Sequence, residues 1–545
     1  MTSKRAGFSL ISILIIATFL RLYHFSSYTG GTGQASLPPG LYPDEAMNGN
    51  NALEALRTGD YKVYYPENNG REGLFIGIQA QFLRLLLPAN GNQPEPWMLR
   101  LPSSLFGIMT VLGLYFLGRE LVSKRVGLLA AFFLATSFWH INFSRIGFRA
   151  IMAPLLLTWS LCFLLASLNQ TRRNSKSQAP NPKWSLVIGH WSFPILGGLV
   201  YGLGFYTYIA YRVSPLLMLF ILFYFWRTSK KESWQKQFLR VTAYFLLAAF
   251  LVALPIGIYY LQHPADFLGR TAQVSVFSSP APLHDLGMNI VKTLGMFNVA
   301  GDYNWRHNYA GRPELFWPVG ILFIIGIAIG IKSLLVTKYE RSTNIRNTTE
   351  STIRTFVQNS YFVANQKLGF IILFLWMFLA ALPVVISNEG IPHALRSILL
   401  IPPAMMLAAI GGVYVYEWAL EKTKTGTHAR KILFATCYLL LTLFIFESYH
   451  TYFVLWGNDP NVQGAFAADY VAVGRTLNAL PVNVLKYVVV PEGGVLVRGI
   501  PMPAQTVMFM TDTFLPEGQR QKNIFYVIPK NEDTIPPGAM IFHLQ

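Results

Sequence analysis

The chain has 545 residues, 52% hydrophobic and 13% charged, where soluble domains carry about a quarter charged residues, and its mean hydropathy is +0.37; this excludes an ordinary soluble enzyme. The formal net charge of +18 would direct a soluble protein to nucleic acid, but here Lys and Arg fall mostly in short stretches between apolar runs, which names the lipid bilayer as partner and no nucleic acid. The two cysteines, Cys162 and Cys437, both lie inside apolar runs, which excludes a disulfide framework and a cysteine metal site.

A spanning helix needs about 20 apolar residues. In chain order the runs lie at 7–25, 99–118, 126–143, 150–168, 192–209, 212–226, 241–262, 315–333, 368–387, 397–416 and 432–450, eleven in all. The first is flanked by Lys4 and Arg5, carries Arg21 near its far end and has no small-residue cleavage site after it, so it is predicted to be a retained helix with a cytoplasmic N-terminus. With that start, the segments after the second, fourth, sixth, eighth and tenth runs face the cytoplasm. All five are basic: Lys124 and Arg125; Arg172, Arg173, Lys176 and Lys183; Arg227, Lys230, Lys231 and Lys236; Lys332, Lys338, Arg341, Arg346 and Arg354; Lys422, Lys424, Arg430 and Lys431. That is the cytoplasmic bias of positive charge. A short turn at Tyr211-Arg212 is expected between the fifth and sixth helices.

The predicted fold class is therefore an α-helical polytopic protein of the cell membrane, with about eleven transmembrane helices and a small C-terminal α/β extracytoplasmic domain. The domains are predicted at 1–450 and 451–545. The second has a helix-like stretch near 463–479 and strand-like runs at Lys486–Val490, Thr506–Met510, Asn523–Val527 and Ala539–Phe542. Two external loops, 26–98 and 263–314, exceed the roughly 12–15 residues beyond which ordered loops usually serve a function.

The chemistry-bearing residues sit in those external segments. Asp44 and Glu45 follow Pro43 just beyond the first membrane helix. Such a pair suits general-base chemistry, and read alone it better suits the first turn of a short interfacial helix with Asp44 as N-cap. Further on, Arg71 and Glu72 open a mostly apolar tract from Phe75 to Leu87, where Glu72 is either a second acid or a helix cap. Ser144-Arg145-Ile146-Gly147-Phe148-Arg149 joins the third and fourth runs. Its arginines match phosphate oxygens or snorkel to headgroups. His393 and Arg396 are three apart, on one face of a helical turn. The segment Asp302–Asn308 reads as an interfacial aromatic belt or a sugar contact, and His263, His284 and His307 show no metal-ligand spacing.

Taken together, these residues resemble the GT-C superfamily of polyprenyl-phosphate-sugar glycosyltransferases, in particular protein O-mannosyltransferases and bacterial lipid A aminoarabinose transferases. The resemblance runs over residues 7–450. It is carried by Arg21-Leu22-Tyr23, Asp44-Glu45, Arg71-Glu72-Gly73-Leu74-Phe75, Ser144-Arg145, Gly204-Phe205-Tyr206-Thr207-Tyr208 and Pro392-His393-Ala394-Leu395-Arg396. Many relatives follow the second acid with two prolines, whereas Glu72 precedes Gly73 and Leu74. The resemblance implies an inverting transfer of a sugar from a polyprenyl-phosphate donor to a hydroxyl on a protein, lipid or glycan acceptor, at the outer membrane surface. It assigns the base to the first-loop acids, with Asp44 as base and Glu45 and Glu72 as the other catalytic candidates; the chemistry of a leaving phosphate independently makes Arg71, Arg145, Arg149, His393 and Arg396 the candidates for donor binding. No cofactor is required and no metal ligand is assigned; a divalent metal would assist the leaving phosphate. The competing readings are a transporter or flippase of a lipid-linked solute, which would place ionisable residues near mid-membrane, and a non-catalytic scaffold.

Overall fold

The computed structural model describes residues 3–26, 36–174, 192–228, 232–267, 275–335, 360–423 and 426–545. Every one of the eleven apolar runs is helical there. Eight helices are long and apolar enough to cross a membrane. Among the described residues a ninth candidate span is the pair Lys124–Ala135 and Phe138–Ser144, bent by 63° at the break between them. The remaining two, Ala6–Leu22 and Ser192–Gly204, are apolar but shorter. The chain is a polytopic membrane protein. Of the predicted basic segments, Lys176, Lys183, Lys230, Lys231, Lys338, Arg341, Arg346, Arg354 and Lys424 lie outside the described residues.

The bend in the third crossing has a definite cause. The chain leaves helix at Thr136 and restarts with Ser137, whose side chain accepts from the His140 amide. The carbonyls of Leu134 and Ala135 then lose their helical partners. Arg21, fully buried at the end of α1 (Ser3–Leu22), donates to both at 3.2 and 3.1 Å, and to His140 Nδ1 at 2.8 Å.

The turn between the fifth and sixth crossings differs from expectation. It occupies Phe205–Tyr208, followed by a short 3-10 segment Ile209–Val213, so Tyr211 and Arg212 sit past the turn. The 263–314 loop is also more ordered than its sequence implied, because it contains the helix Pro282–Gly295. That helix exposes Leu283, Val291 and Leu294.

The segments assigned to the outer side do lie together. The first loop folds into α2 (Pro43–Thr58), an antiparallel pair β1 (Tyr64–Tyr65) and β2 (Arg71–Glu72), and α3 (Leu74–Leu86). The C-terminal segment packs on α2: Asn50 donates to the Gln505 side chain at 2.9 Å and Arg498 pairs with Glu54 at 2.8 Å and Glu67 at 3.0 Å. Its three-stranded parallel sheet has the order β6–β3–β7, from β3 (Lys486–Val489), β6 (Ile524–Val527) and β7 (Met540–His543). A small hairpin, β4 (Leu496–Val497) and β5 (Ile500–Pro501), lies between β3 and β6 in sequence.

One predicted strand is wrong: Thr506–Met510 belongs to the helix Ala504–Thr511, every residue of which is buried. A short apolar run buried on all sides carries no period to separate strand from helix.

Candidate active site

Asp44 and Glu45 fill the first turn of α2 behind Pro43 at N1, where the helix dipole favours carboxylates. Tyr42 is the N-cap and no side chain caps the helix, so Asp44 is not the cap residue. Adjacent positions on a helix point apart, and the two acids have different surroundings. Glu45 is fully buried, its two oxygens each 2.9 Å from the Arg100 guanidinium, and Oε2 also accepts from the Gly147 amide at 2.6 Å. A Cβ at position 147 would come 3.1 Å from that oxygen, a tight contact. Arg100 donates onward to the carbonyls of Pro38 and Gly40. Glu45 thus ties three segments together and has no free oxygen.

Asp44 is half-buried and open. Asn68 donates to its Oδ1 at 2.6 Å, and among the described residues Asp44 forms no ion pair. Asn68 sits in the β1–β2 turn with positive φ, so the turn is shaped to present it. Arg71 lies close enough to Asp44 for the carboxylate to raise its pKa, though burial is the larger effect and, with Arg149 beside it, lowers Arg71 to about 10. Arg71 is held by Asn48 at 2.7 Å and Asn51 at 2.8 Å, one turn apart on α2.

Glu72 is buried in β2 rather than capping α3, whose N-cap is Gly73. Arg149 Nε donates to it at 2.7 Å, and Arg212 approaches its other oxygen at 3.9 Å. The sequence-predicted Asp44, Arg71, Glu72 and Arg149 therefore form one cluster of alternating charge.

Arg145 is elsewhere. It is fully buried and donates to the carbonyls of Leu20, Tyr23, His24 and Leu37, packed among Phe25, Tyr452 and Phe453. Arg396 pairs with Glu389 at 2.6 Å and donates to Ser387. His393 turns the other way, its ring stacked on His307 with centroids 4.9 Å apart.

The segment Asp302–Asn308, read from the sequence as an aromatic belt or a sugar contact, also contributes to the region. Arg306 lies over the Tyr42 ring, 3.6 Å from its centroid, directly before the Asp44 helix. Its Nε donates to Asn304 at 3.3 Å, and burial alone lowers it to about 10; among the described residues no carboxylate pairs with it. Asp302 and His307, on the same loop, form with His393 a group able to hold a divalent metal. The signal for Arg306 was present as a cation in an external aromatic segment, but nothing in its neighbours tied it to Tyr42.

No protein-family model matches the sequence, and no curated protein matches it. Solved structures do. An oligosaccharyltransferase of Archaeoglobus fulgidus, tethered to an acceptor peptide, aligns with 97% of this chain at 12% identity and a TM-score of 0.51. ArnT from Cupriavidus metallidurans, bound to undecaprenyl phosphate, aligns with 99% of this chain and 90% of its own at 13% identity, again with a TM-score of 0.51. The chain has the GT-C fold. It spans 64% of the length of the archaeal GT-C protein. At such identities the likeness is one of fold, and the roles of individual residues rest on their own geometry.

Proposed function

We propose that the chain is a membrane glycosyltransferase that moves a sugar from a polyprenyl-phosphate donor to an acceptor hydroxyl at the extracytoplasmic face, with inversion. The observation that carries this reading is Asp44, a half-buried carboxylate without an ion pair among the described residues, in the first turn of a helix whose N-cap residue, Tyr42, lies under the Arg306 guanidinium. The GT-C fold supports it, as do the lipid phosphate held by ArnT and the dolichol phosphate held by the archaeal enzyme.

In this reading the acceptor oxygen attacks C1 of the sugar while its proton passes to Asp44. The C1–O bond to phosphate breaks and its electron pair leaves with the polyprenyl phosphate. In this reading Arg306 and Arg149 supply the positive charge that the leaving phosphate needs as it develops negative charge. Glu72 holds Arg149 and tempers its charge. Glu45 and Arg145 act as structural ties, and Arg71 braces α2 against β2. Residues 1–450 would be the catalytic membrane part and 451–545 an extracytoplasmic domain that shapes acceptor access. The N-terminus would be cytoplasmic.

The test is release of polyprenyl phosphate from a panel of polyprenyl-phosphate sugars by the purified protein. Release by wild type and its loss in Asp44→Asn supports the reading; a wild type that releases nothing from any donor, yet moves a lipid-linked solute between leaflets, replaces it with the flippase.

A further inference from the structure

Apart from the carboxylate cluster, three ligand-type side chains from two distant segments meet at one point. Asp302 and His307 belong to the loop before the helix Trp317–Leu335, and His393 to the turn after the helix Ser360–Val385. Their ligand atoms all lie within 4.8 Å of one another, and no other such group occurs among the described residues. Asp302 Oδ2 is 3.0 Å from His307 Nδ1 and 3.8 Å from His393 Nδ1. A tetrahedral zinc ion with bonds of about 2.0–2.2 Å keeps its ligand atoms about 3.3–3.5 Å apart. The two Asp302 separations bracket that value, and the two histidine ligand atoms lie within 4.8 Å of each other, so the three side chains need only local adjustment to close on an ion.

The surroundings are those of a built site. Asp302 and His307 are buried and His393 is half-buried. The carboxylate is oriented by backbone donors: Asn304 N to Oδ1 at 2.8 Å and Ala394 N to Oδ2 at 2.8 Å. Such outer contacts fix the direction of metal ligands. Among the described residues no lysine or arginine forms an ion pair with Asp302, and a buried carboxylate without a cation is costly.

We propose that Asp302, His307 and His393 bind a divalent transition metal of the zinc class, which fastens the loop carrying Arg306 to the turn carrying His393. His307 follows Arg306 directly in the chain, so the ion would fix the loop that holds the Arg306 guanidinium over Tyr42. The proposal stands on these three residues and does not depend on the glycosyltransferase reading.

The test uses full-length protein in detergent, stripped with a chelator, exposed to zinc and freed of excess. Elemental analysis should find about one zinc per chain. Cobalt(II) in its place should give the visible absorption of a tetrahedral site. Zinc should raise the melting temperature of wild type, as any ligand of the native state does. His393→Gln and Asp302→Asn should each weaken zinc binding at least ~10-fold, and each keeps a side chain of similar size so that at least one remains folded. His284→Gln, an exposed histidine of the same loop, should retain the metal. Zinc binding by wild type no tighter than by both variants, or stoichiometric zinc surviving in both, overturns the proposal and leaves Asp302–His307 as a hydrogen-bonded pair.

Discussion

The guanidinium of Arg306 covers the ring of Tyr42, 3.6 Å from its centroid, and so joins a loop near residue 306 to the residue that caps the Asp44 helix. A guanidinium on an aromatic face is held by the ring quadrupole while its N–H groups stay available at the edge. That leaves it able to grip a phosphate without giving up its anchor. Arg306→Ala is expected to raise the donor KM by roughly 10–100-fold, the equivalent of about 1.5–3 kcal/mol for a hydrogen bond to a charged group. Arg145→Ala should instead lower the melting temperature and leave the donor KM of the folded fraction near normal. If the donor KM rises for Arg145→Ala and not for Arg306→Ala, the phosphate is held at the other site.

Asp44→Asn preserves shape and hydrogen bonding to Asn68 and removes basicity. Turnover should fall by about 10²–10⁴-fold, the range of a positioned general base, with donor affinity little changed. Single-turnover kinetics on bound donor separate the two quantities. A collapse of turnover in Glu72→Gln beside a near-normal rate in Asp44→Asn would transfer the role to Glu72.

Glu45→Gln tests the adjacent acid for a different property. Its ion pair with Arg100 is buried on both sides, with side chains 0% and 2% exposed. Removing one partner leaves a buried unpaired charge and costs about 3–5 kcal/mol. The expected result is a lower denaturation midpoint with turnover per folded molecule within several-fold of wild type. An unchanged midpoint with lost turnover would make Glu45 a participant in the reaction.

The proposed outer placement of the C-terminal segment can be measured directly. A cysteine introduced at Asn531, on an exposed stretch of that segment, should react with an impermeant maleimide in intact cells. Labelling only after permeabilisation would invert the topology.

The helices were legible because a membrane span writes itself as a long apolar run. The break at Thr136-Ser137 was not, since the apolar run passes straight through it and its stabilising group, Arg21, comes from far along the chain. The Asp44, Arg71, Glu72 and Arg149 cluster could be anticipated because charges in an otherwise uncharged chain have few places to go. The direction in which each charge points could not. Arg145 has the same identity whether it faces a phosphate or four carbonyls, and only the fold sends it to Leu20, Tyr23, His24 and Leu37. Likewise Asp302, His307 and His393 show no spacing of metal ligands, because the ligands come from two segments separated by intervening helices.

Arg21 has a consequence for biogenesis. The acceptors that surround it, Leu134, Ala135 and His140, are synthesised more than a hundred residues after it. Until then a cation near a helix end reaches the headgroups along its own stem. The seating of α1 against the bent pair Lys124–Ala135 and Phe138–Ser144 therefore follows the synthesis of that pair, which makes it a late step in assembly rather than a property of α1 alone.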